Sequence, residues 1–173
     1  MICLFSIQAW AQSGKLFNTD NQLSSNLATQ VFQDKSGFIW IATRNGLNTY
    51  DGYHITVIKK DMSNFLGLNS NYINSIAQDE KEHILLGTNN SLLEFTGSEF
   101  LKIPMLDSKG EELATYVKQV YPLKNKDVAV ATSGYGIMLK KQDEQKCHAM
   151  KGEVEKLKYI HKLLEDKRGR LWI

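Results

Sequence analysis

The 173-residue sequence is poor in the residues that cross-link, kink or catalyse. Its two cysteines, Cys3 and Cys147, are too few and too far apart for a disulfide framework or a cysteine metal site. Two prolines exclude a proline-rich linker. A net charge of +2 is too small to imply a nucleic acid or an anionic membrane surface as partner. There is no G-x-S-x-G elbow and no Cys/His nucleophile pair. The four histidines, His54, His83, His148 and His161, show no ligand spacing such as H-x-x-x-H, so no metal and no other cofactor is expected. Gly134-Tyr135-Gly136 lacks the third glycine and following helix of a nucleotide fingerprint, and reads as a hairpin turn. No run reaches the ~20 apolar residues that cross a bilayer.

What is present is the composition of a globular domain, 42% hydrophobic and 23% charged, long enough to bury a real core. The first eleven residues form a short apolar run ending in Ala9-Trp10-Ala11. Small residues at the −3 and −1 positions suit a signal peptidase, so residues 1–11 are expected to be an export signal that carries Cys3 and Trp10 away. The basic start of such a signal is missing, so either the true start lies upstream or the run is a strand. With Cys3 gone, Cys147 is expected to be a lone, inert thiol.

Internal repetition is the strongest signal. Leu23-Ser24-Ser25-Asn26 returns as Leu68-Asn69-Ser70-Asn71, an offset of 45 residues. The same offset carries Gln33-Asp34 to Gln78-Asp79, Ile39 to Ile84, Thr43 to Thr88, Asn45 to Asn90 and Gly52 to Gly97. A fainter third copy places Val120, Val128, Val130 and Thr132 at an offset of 44, with Gly134-Tyr135-Gly136-Ile137 adding one residue. Asp166 to Ile173 repeats Asp34 to Ile41 at an offset of 132, three times 44.

A period of about 44 residues with several short strands per unit suits β-propeller blades. HEAT and armadillo repeats of similar period need long amphipathic helices, which most of the chain lacks. In the first unit strands are expected at 28–33, 38–43, 47–50 and 54–58. Asp34-Lys35-Ser36-Gly37 supplies the first hairpin turn and Arg44-Asn45-Gly46 the second, with Asn-Gly suited to positive φ. The stretch 38–43 is apolar on both faces, as a sheet covered from both sides requires. Val154, Leu157, Ile160 and Leu164 have helical spacing. The repeat register makes 160–165 a first strand instead, and the register is preferred. The expected fold is all-β, an incomplete propeller of four-stranded antiparallel blades. A lead-in strand or loop at 12–22 precedes blades at 23–67, 68–112 and 113–155 and the start of a fourth at 156–173. An open wedge of this kind would expose apolar sheet faces, so further blades of a parent chain are expected partners.

The run from Leu23 to Tyr53, with Val31-Phe32-Gln33-Asp34-Lys35-Ser36-Gly37-Phe38-Ile39-Trp40-Ile41 at its centre, resembles the two-component regulator propeller repeat. The second copy departs at Leu85, Ser91 and Thr96, the third is poor, and the fourth is good but short. The resemblance implies the periplasmic sensor region of a Bacteroidetes hybrid two-component histidine kinase. In that family two propellers usually precede an immunoglobulin-like domain, a membrane helix and the kinase. It implies a non-catalytic segment of a dimeric receptor, and an oligosaccharide released from glycans as ligand. The kinase residues have no counterpart here.

Candidate sites follow from repeat position. Asp34, Asp79 and Asp166 share one slot at a hairpin turn, which places them one per blade rather than in one cleft, as turn makers. Trp40 and Trp172 share a slot expected to pack between blades. The positive excess of residues 140–170 is interspersed with acids and reads as a solvated face. Arg44, Asn45, Asn89, Asn90 and Tyr135 occupy one turn position and hence one face of the disc, where loops on a rigid scaffold bind ligands. They are the candidate ligand-binding residues, although the opposite face has equal geometric standing. A lyase-type propeller enzyme would need histidines or carboxylates converging on the central channel. An interaction propeller of the WD40 kind would need Gly-His and Trp-Asp dipeptides, which are absent.

Overall fold

The computed structural model describes residues 14–61 and 67–173. The expected export signal lies outside the described residues. Residues 14–22 form no strand: they carry one 3-10 turn, Thr19–Asn21. The lead-in is held against the first sheet by Phe17, whose ring meets Tyr50 edge-on at 4.9 Å, and by Lys15, whose Nζ donates to the Tyr50 hydroxyl at 3.0 Å.

Two four-stranded antiparallel meanders follow. The first is β1 (Ala28–Gln33), β2 (Ile39–Thr43), β3 (Gly46–Tyr50) and β4 (Ile55–Ile58). The second is β5 (Ile73–Gln78), β6 (Ile84–Thr88), β7 (Leu92–Phe95) and β8 (Phe100–Ile103). These strands match the expected ones in the first unit to within one residue. The β2–β3 turn has its own chemistry. Arg44 and Asn45 are its two central residues, and of Asn45-Gly46 only Gly46 takes positive φ, at 131°. Thr43 supplies the closure: its Oγ1 accepts from the Asn45 amide at 3.0 Å and donates to the Gly46 carbonyl at 2.8 Å.

The third sheet has six strands. It contains β9 (Met105–Leu106), β10 (Glu112–Leu113), β11 (Tyr116–Pro122), β12 (Val128–Ser133), β13 (Ile137–Lys140) and β14 (Cys147–Ala149). Strands β11 to β14 form the same meander, and the β9–β10 hairpin adds to its outer edge through a parallel pairing of β9 with β14. The repeat register gave residues 105–112 to the second unit. Fully buried Met105 packs with residues of the third sheet, and Cys147 donates its amide to the Pro104 carbonyl at 2.8 Å, so this hairpin belongs to the third sheet. Last comes the pair β15 (Leu164–Glu165) and β16 (Leu171–Trp172). Its pairs Glu165↔Leu171 and Leu164↔Trp172 repeat Gln33↔Ile39 and Phe32↔Trp40 of the first sheet. The helical spacing of 154–164 is realised only as one 3-10 turn, Glu153–Lys156, while Ile160 and Leu163 are buried against the third sheet.

Period-two alternation explains why the middle strands are apolar throughout. Ile84 and Leu86 of β6 pack with Trp40, Ala42 and Leu47 of the first sheet. Leu85, between them, packs with Val117, Val120 and Val130 of the third. Gly87 marks a close approach of the second and third sheets, because a Cβ there would stand 2.5 Å from Val117 Cγ1. The same slot holds Ala42 in the first sheet and Ala131 in the third.

The innermost strands of neighbouring sheets are joined by side chains. A bulge in β1 between Ala28 and Gln30 re-aims Gln30, whose amide brackets one residue of β5. It donates to the Ile76 carbonyl at 2.8 Å and accepts from the Ile76 amide at 2.9 Å. Gln119, at the matching bulge of β11, brackets Leu163 in the same way at 3.4 and 2.7 Å. In β5 the slot holds Ser75, which accepts from the Val120 amide at 3.0 Å. Thr29 and Asn74, one position earlier, donate to the carbonyls of Ile73 and Val117.

Gln30→Leu leaves both backbone groups of Ile76 without their partner. Because Gln30 is only half-buried, water recovers part of the loss, and a destabilisation of about 1–2 kcal/mol is expected. Urea melts of the variant check this, and an unchanged midpoint would show that the bracket carries no stability.

Candidate functional site

The recurring acids act within their own turns. Asp34 Oδ1 accepts from the Phe38 amide at 3.0 Å, and Oδ2 accepts from the Trp40 indole at 2.7 Å. Asp166 repeats this with the Arg170 amide at 3.0 Å, the Trp172 indole at 3.2 Å and the Arg170 Nε at 2.7 Å. Asp107 closes a fourth such turn, accepting from the Glu111 amide at 2.9 Å, with Gly110 at positive φ. Its signature Asp107-Ser108-Lys109-Gly110 lies outside the 44-residue period, which is why repeat counting passes over it. In the third sheet Leu123 occupies the acid's slot; Lys126 donates to the Leu123 carbonyl at 2.9 Å, and Asn125 Oδ1 accepts from the Asp127 amide at 3.1 Å. Trp40 is 6% exposed and meets Phe95 of the second sheet edge-on at 5.7 Å, so it packs between sheets. Trp172 is 56% exposed. Cys147 is fully buried, and burial pushes its thiol up to about 12, which keeps it protonated and unreactive.

Of the five candidate turn residues, three stand near one another in pairs or through one neighbour. The Arg44 guanidinium lies over the Tyr72 ring, 5.6 Å from its centroid. Asn89 accepts from the Ser70 hydroxyl at 2.8 Å, two residues before Tyr72, and the Gly46 amide donates to the Asn71 carbonyl at 2.7 Å. Asn45 reaches back to the Ser24 carbonyl at 3.4 Å. Asn90 is engaged in its own turn, where its Oδ1 accepts from Thr88 and Ser91 hydroxyls. Tyr135 sits apart in a hollow of about 190 Å³ with Asp107, Ser108, Ala149, Met150 and Lys158.

A row of tyrosines on this same face was missed by reading the turns alone. Tyr72 stands just before β5 and Tyr116 opens β11, with their rings 6.0 Å apart and edge-to-face. Tyr116 Oη donates to Asn74 Oδ1 at 2.7 Å. Burial, and then the neighbouring Tyr72 phenol, push the Tyr116 hydroxyl up to about 12, so it stays a neutral donor. Lys118 Nζ stands over the Tyr116 ring, 4.2 Å from its centroid. Leu27 and Tyr159 hold the same repeat slot in the first and last units and are 59% and 71% exposed. The signal was available in the sequence: three of four copies place a tyrosine directly before an apolar residue that is buried, Ile73, Val117 and Ile160.

The opposite end of the sheets carries a cleft of about 590 Å³ between the first and second sheets. Phe38, Trp40, Phe95, Gln78 and His83 line it. Beside it Asp79, His83 and Glu94 bring their ligating atoms within 4.8 Å of one another. His54 and His148 each stand beside a single carboxylate, Asp51 and Glu144. No helix among the described residues is long and apolar enough to cross a membrane.

Comparison with known proteins agrees with the repeat. The family profile described as the two component regulator propeller matches residues 22–45 and 67–90. The fold is similar to the extracellular domain of BT4673 from B. thetaiotaomicron, described as a hybrid two component system, with TM-score 0.70 and 16% identity. It is also similar to the corresponding domain of BT3049 from the same organism, with TM-score 0.65 and 23% identity. PorZ, a surface component of the type-IX secretion system of Porphyromonas gingivalis, aligns with TM-score 0.53 and 16% identity. These alignments cover 85%, 84% and 72% of the chain, which spans only 22%, 20% and 21% of those structures. No curated protein sequence matches it. The profile thus falls on the first and second sheets, and the chain is all-β and built from repeated propeller-type meanders.

The Arg170 amide, and with it the Arg170 side chain, the Trp172 indole and the Arg168 amide, hold the Asp166 carboxyl down to about 2, against 3.8 ordinarily. A carboxylate whose folded value is depressed stabilises the fold above its unfolded value, and that contribution fades as pH falls from about 4 towards 2. The Asp166 carboxyl carbon should therefore titrate by NMR with a midpoint near 2. Arg170→Ala should move that midpoint upward; an unmoved midpoint would dissociate the side chain from the shift.

Proposed function

We propose that the chain is the N-terminal part of a periplasmic ligand-sensing propeller in a hybrid two-component histidine kinase, and that its ligand is an oligosaccharide. The observation that supports this most is the aromatic row on the turn face. Tyr72 and Tyr116 form an edge-to-face pair at the starts of two adjacent innermost strands, with Arg44 over the Tyr72 ring and Lys118 over the Tyr116 ring. Aromatic rings beside hydrogen-bonding cations suit a sugar, which has apolar C–H surface and hydroxyl groups. Arg44, Asn45, Asn89, Asn90 and Tyr135 form the surrounding rim in this reading, with Arg44 and Asn89 nearest the row and Asn90 supporting its own turn.

The segment itself does not catalyse. Its blades, 23–67, 68–112 with the 105–113 hairpin passed forward, 113–155 and 156–173, pack into a larger disc, and the parent works as a dimer. A bound sugar changes the dimer only as far as it binds the two signalling states unequally. The likeness to extracellular domains of other two-component systems supports the sensor role, and the matched family profile supports the repeat that carries it.

The test is a calorimetric and thermal-shift screen of the complete sensor region against oligosaccharides of differing charge. Stabilisation by at least one glycan class is expected. Tyr72→Ala and Tyr116→Ala should each weaken that binding by about 3- to 10-fold, the size of one aromatic contact. No stabilisation by any glycan, or binding indifferent to both substitutions, would sink the reading.

A further inference from the structure

The cleft-side cluster of the second sheet differs from its counterparts in a chemically directed way. In the first sheet the free oxygen of the turn aspartate, Asp34 Oδ2, is satisfied by the Trp40 indole at 2.7 Å. In the last unit Asp166 Oδ2 receives both Trp172 and Arg170. In the second sheet the tryptophan slot holds Leu85, which has nothing to donate. Asp79 is 8% exposed, and its Oδ1 takes the His83 amide at 2.9 Å. Its Oδ2 accepts no hydrogen bond among the described residues, and His83 Nδ1 stands 3.8 Å from it. Glu94, 3% exposed, occupies the slot of Thr49 on the strand paired with Leu85 and meets the same His83 Nδ1 at 2.5 Å. His83 itself replaces Phe38. Two buried carboxylates thus face one imidazole, an arrangement that leaves negative charge uncompensated in a poorly solvated place.

We propose that Asp79, His83 and Glu94 bind one divalent transition-metal ion of the zinc class. One imidazole nitrogen and two carboxylate oxygens suit Zn²⁺ better than Ca²⁺ or Mg²⁺, which favour all-oxygen shells of six or more. Three protein ligands leave a fourth position open towards the cleft lined by Phe38, Trp40 and Phe95. Tetrahedral zinc spaces its ligand atoms by about 3.3 Å. The Asp79–His83 separation is close to that, and the His83–Glu94 contact opens by about 0.8 Å on metal binding. This inference does not rest on the sugar-binding reading, which concerns the opposite end of the sheets.

The repeat supplies its own controls. His83→Phe and Glu94→Thr restore the first sheet's residues in the second, a context the fold already accommodates. Calorimetric titration of the intact chain with ZnCl₂ should give one equivalent bound, a raised Tm, and no comparable response to CaCl₂ or MgCl₂. Either substitution should weaken Zn²⁺ binding by more than about 100-fold, beyond what loss of a supporting residue costs. Circular dichroism should show the β-sheet spectrum retained. His54→Ala and His148→Ala should leave the binding unchanged. No Zn²⁺ binding, or Zn²⁺ binding unaffected by His83→Phe and Glu94→Thr in folded protein, would overturn the proposal.

Discussion

The arrangement depends on how one innermost strand holds the next. Neighbouring innermost strands do not form a ladder, so their backbone groups need partners other than each other. Gln30 and Gln119 meet that need with an amide that donates and accepts at once, bracketing Ile76 and Leu163. A bulge at each position turns the side chain sideways, out of its own sheet and towards the next. Ser75 is shorter and satisfies one group, while Asn74 beside it takes a carbonyl. Register between sheets is thereby fixed by hydrogen bonds, and the apolar layers are free to supply most of the energy.

Those layers are thin and two-sided. Each middle strand divides its residues between two neighbours, so that Leu86 and Leu85, adjacent in sequence, belong to different cores. Each fully buried leucine or isoleucine contributes roughly 1.5–3 kcal/mol relative to exposure. The same geometry demands small residues where strands approach, as Ala42, Gly87 and Ala131 show. A sheet at either end of the series has one such face without a described neighbour. Val31 is 61% and Trp172 56% exposed, which leaves apolar surface open there.

With the scaffold fixed, individuality lies in which residue fills a shared slot. The slot of Phe38 becomes His83 and then Arg170; that of Trp40 becomes Leu85; that of Thr49 becomes Glu94. These exchanges keep the turn and change what its aspartate faces: an indole, an imidazole with a second carboxylate, or a guanidinium. On the other face one repeat slot runs Leu27, Tyr72, Tyr116, Tyr159, which places tyrosines where the first unit has a leucine. The two ends of one set of sheets therefore carry two distinct chemistries, each read from departures within the repeat rather than from a motif.

The sequence by itself determined the period, the all-β class, the strands of the first unit and the turn role of Asp34, Asp79 and Asp166. All of these are local or periodic: alternation sets faces, Asp and Gly set turns, and a fixed offset sets the unit. It also marked the face that carries Arg44 and Asn89. Only the tertiary structure decided that 105–113 joins the third sheet, because an edge strand is captured by whichever edge is open to it, here β14, and no period encodes that. Only the tertiary structure joined Tyr72 to Tyr116, and Asp79 and His83 to Glu94, since each contact crosses a sheet or a strand pair and leaves no spacing to count. The missing H-x-x-x-H pattern told against a pair of histidine ligands, yet a histidine four residues from an aspartate meets a glutamate from the adjacent hairpin, which register alone brings within reach.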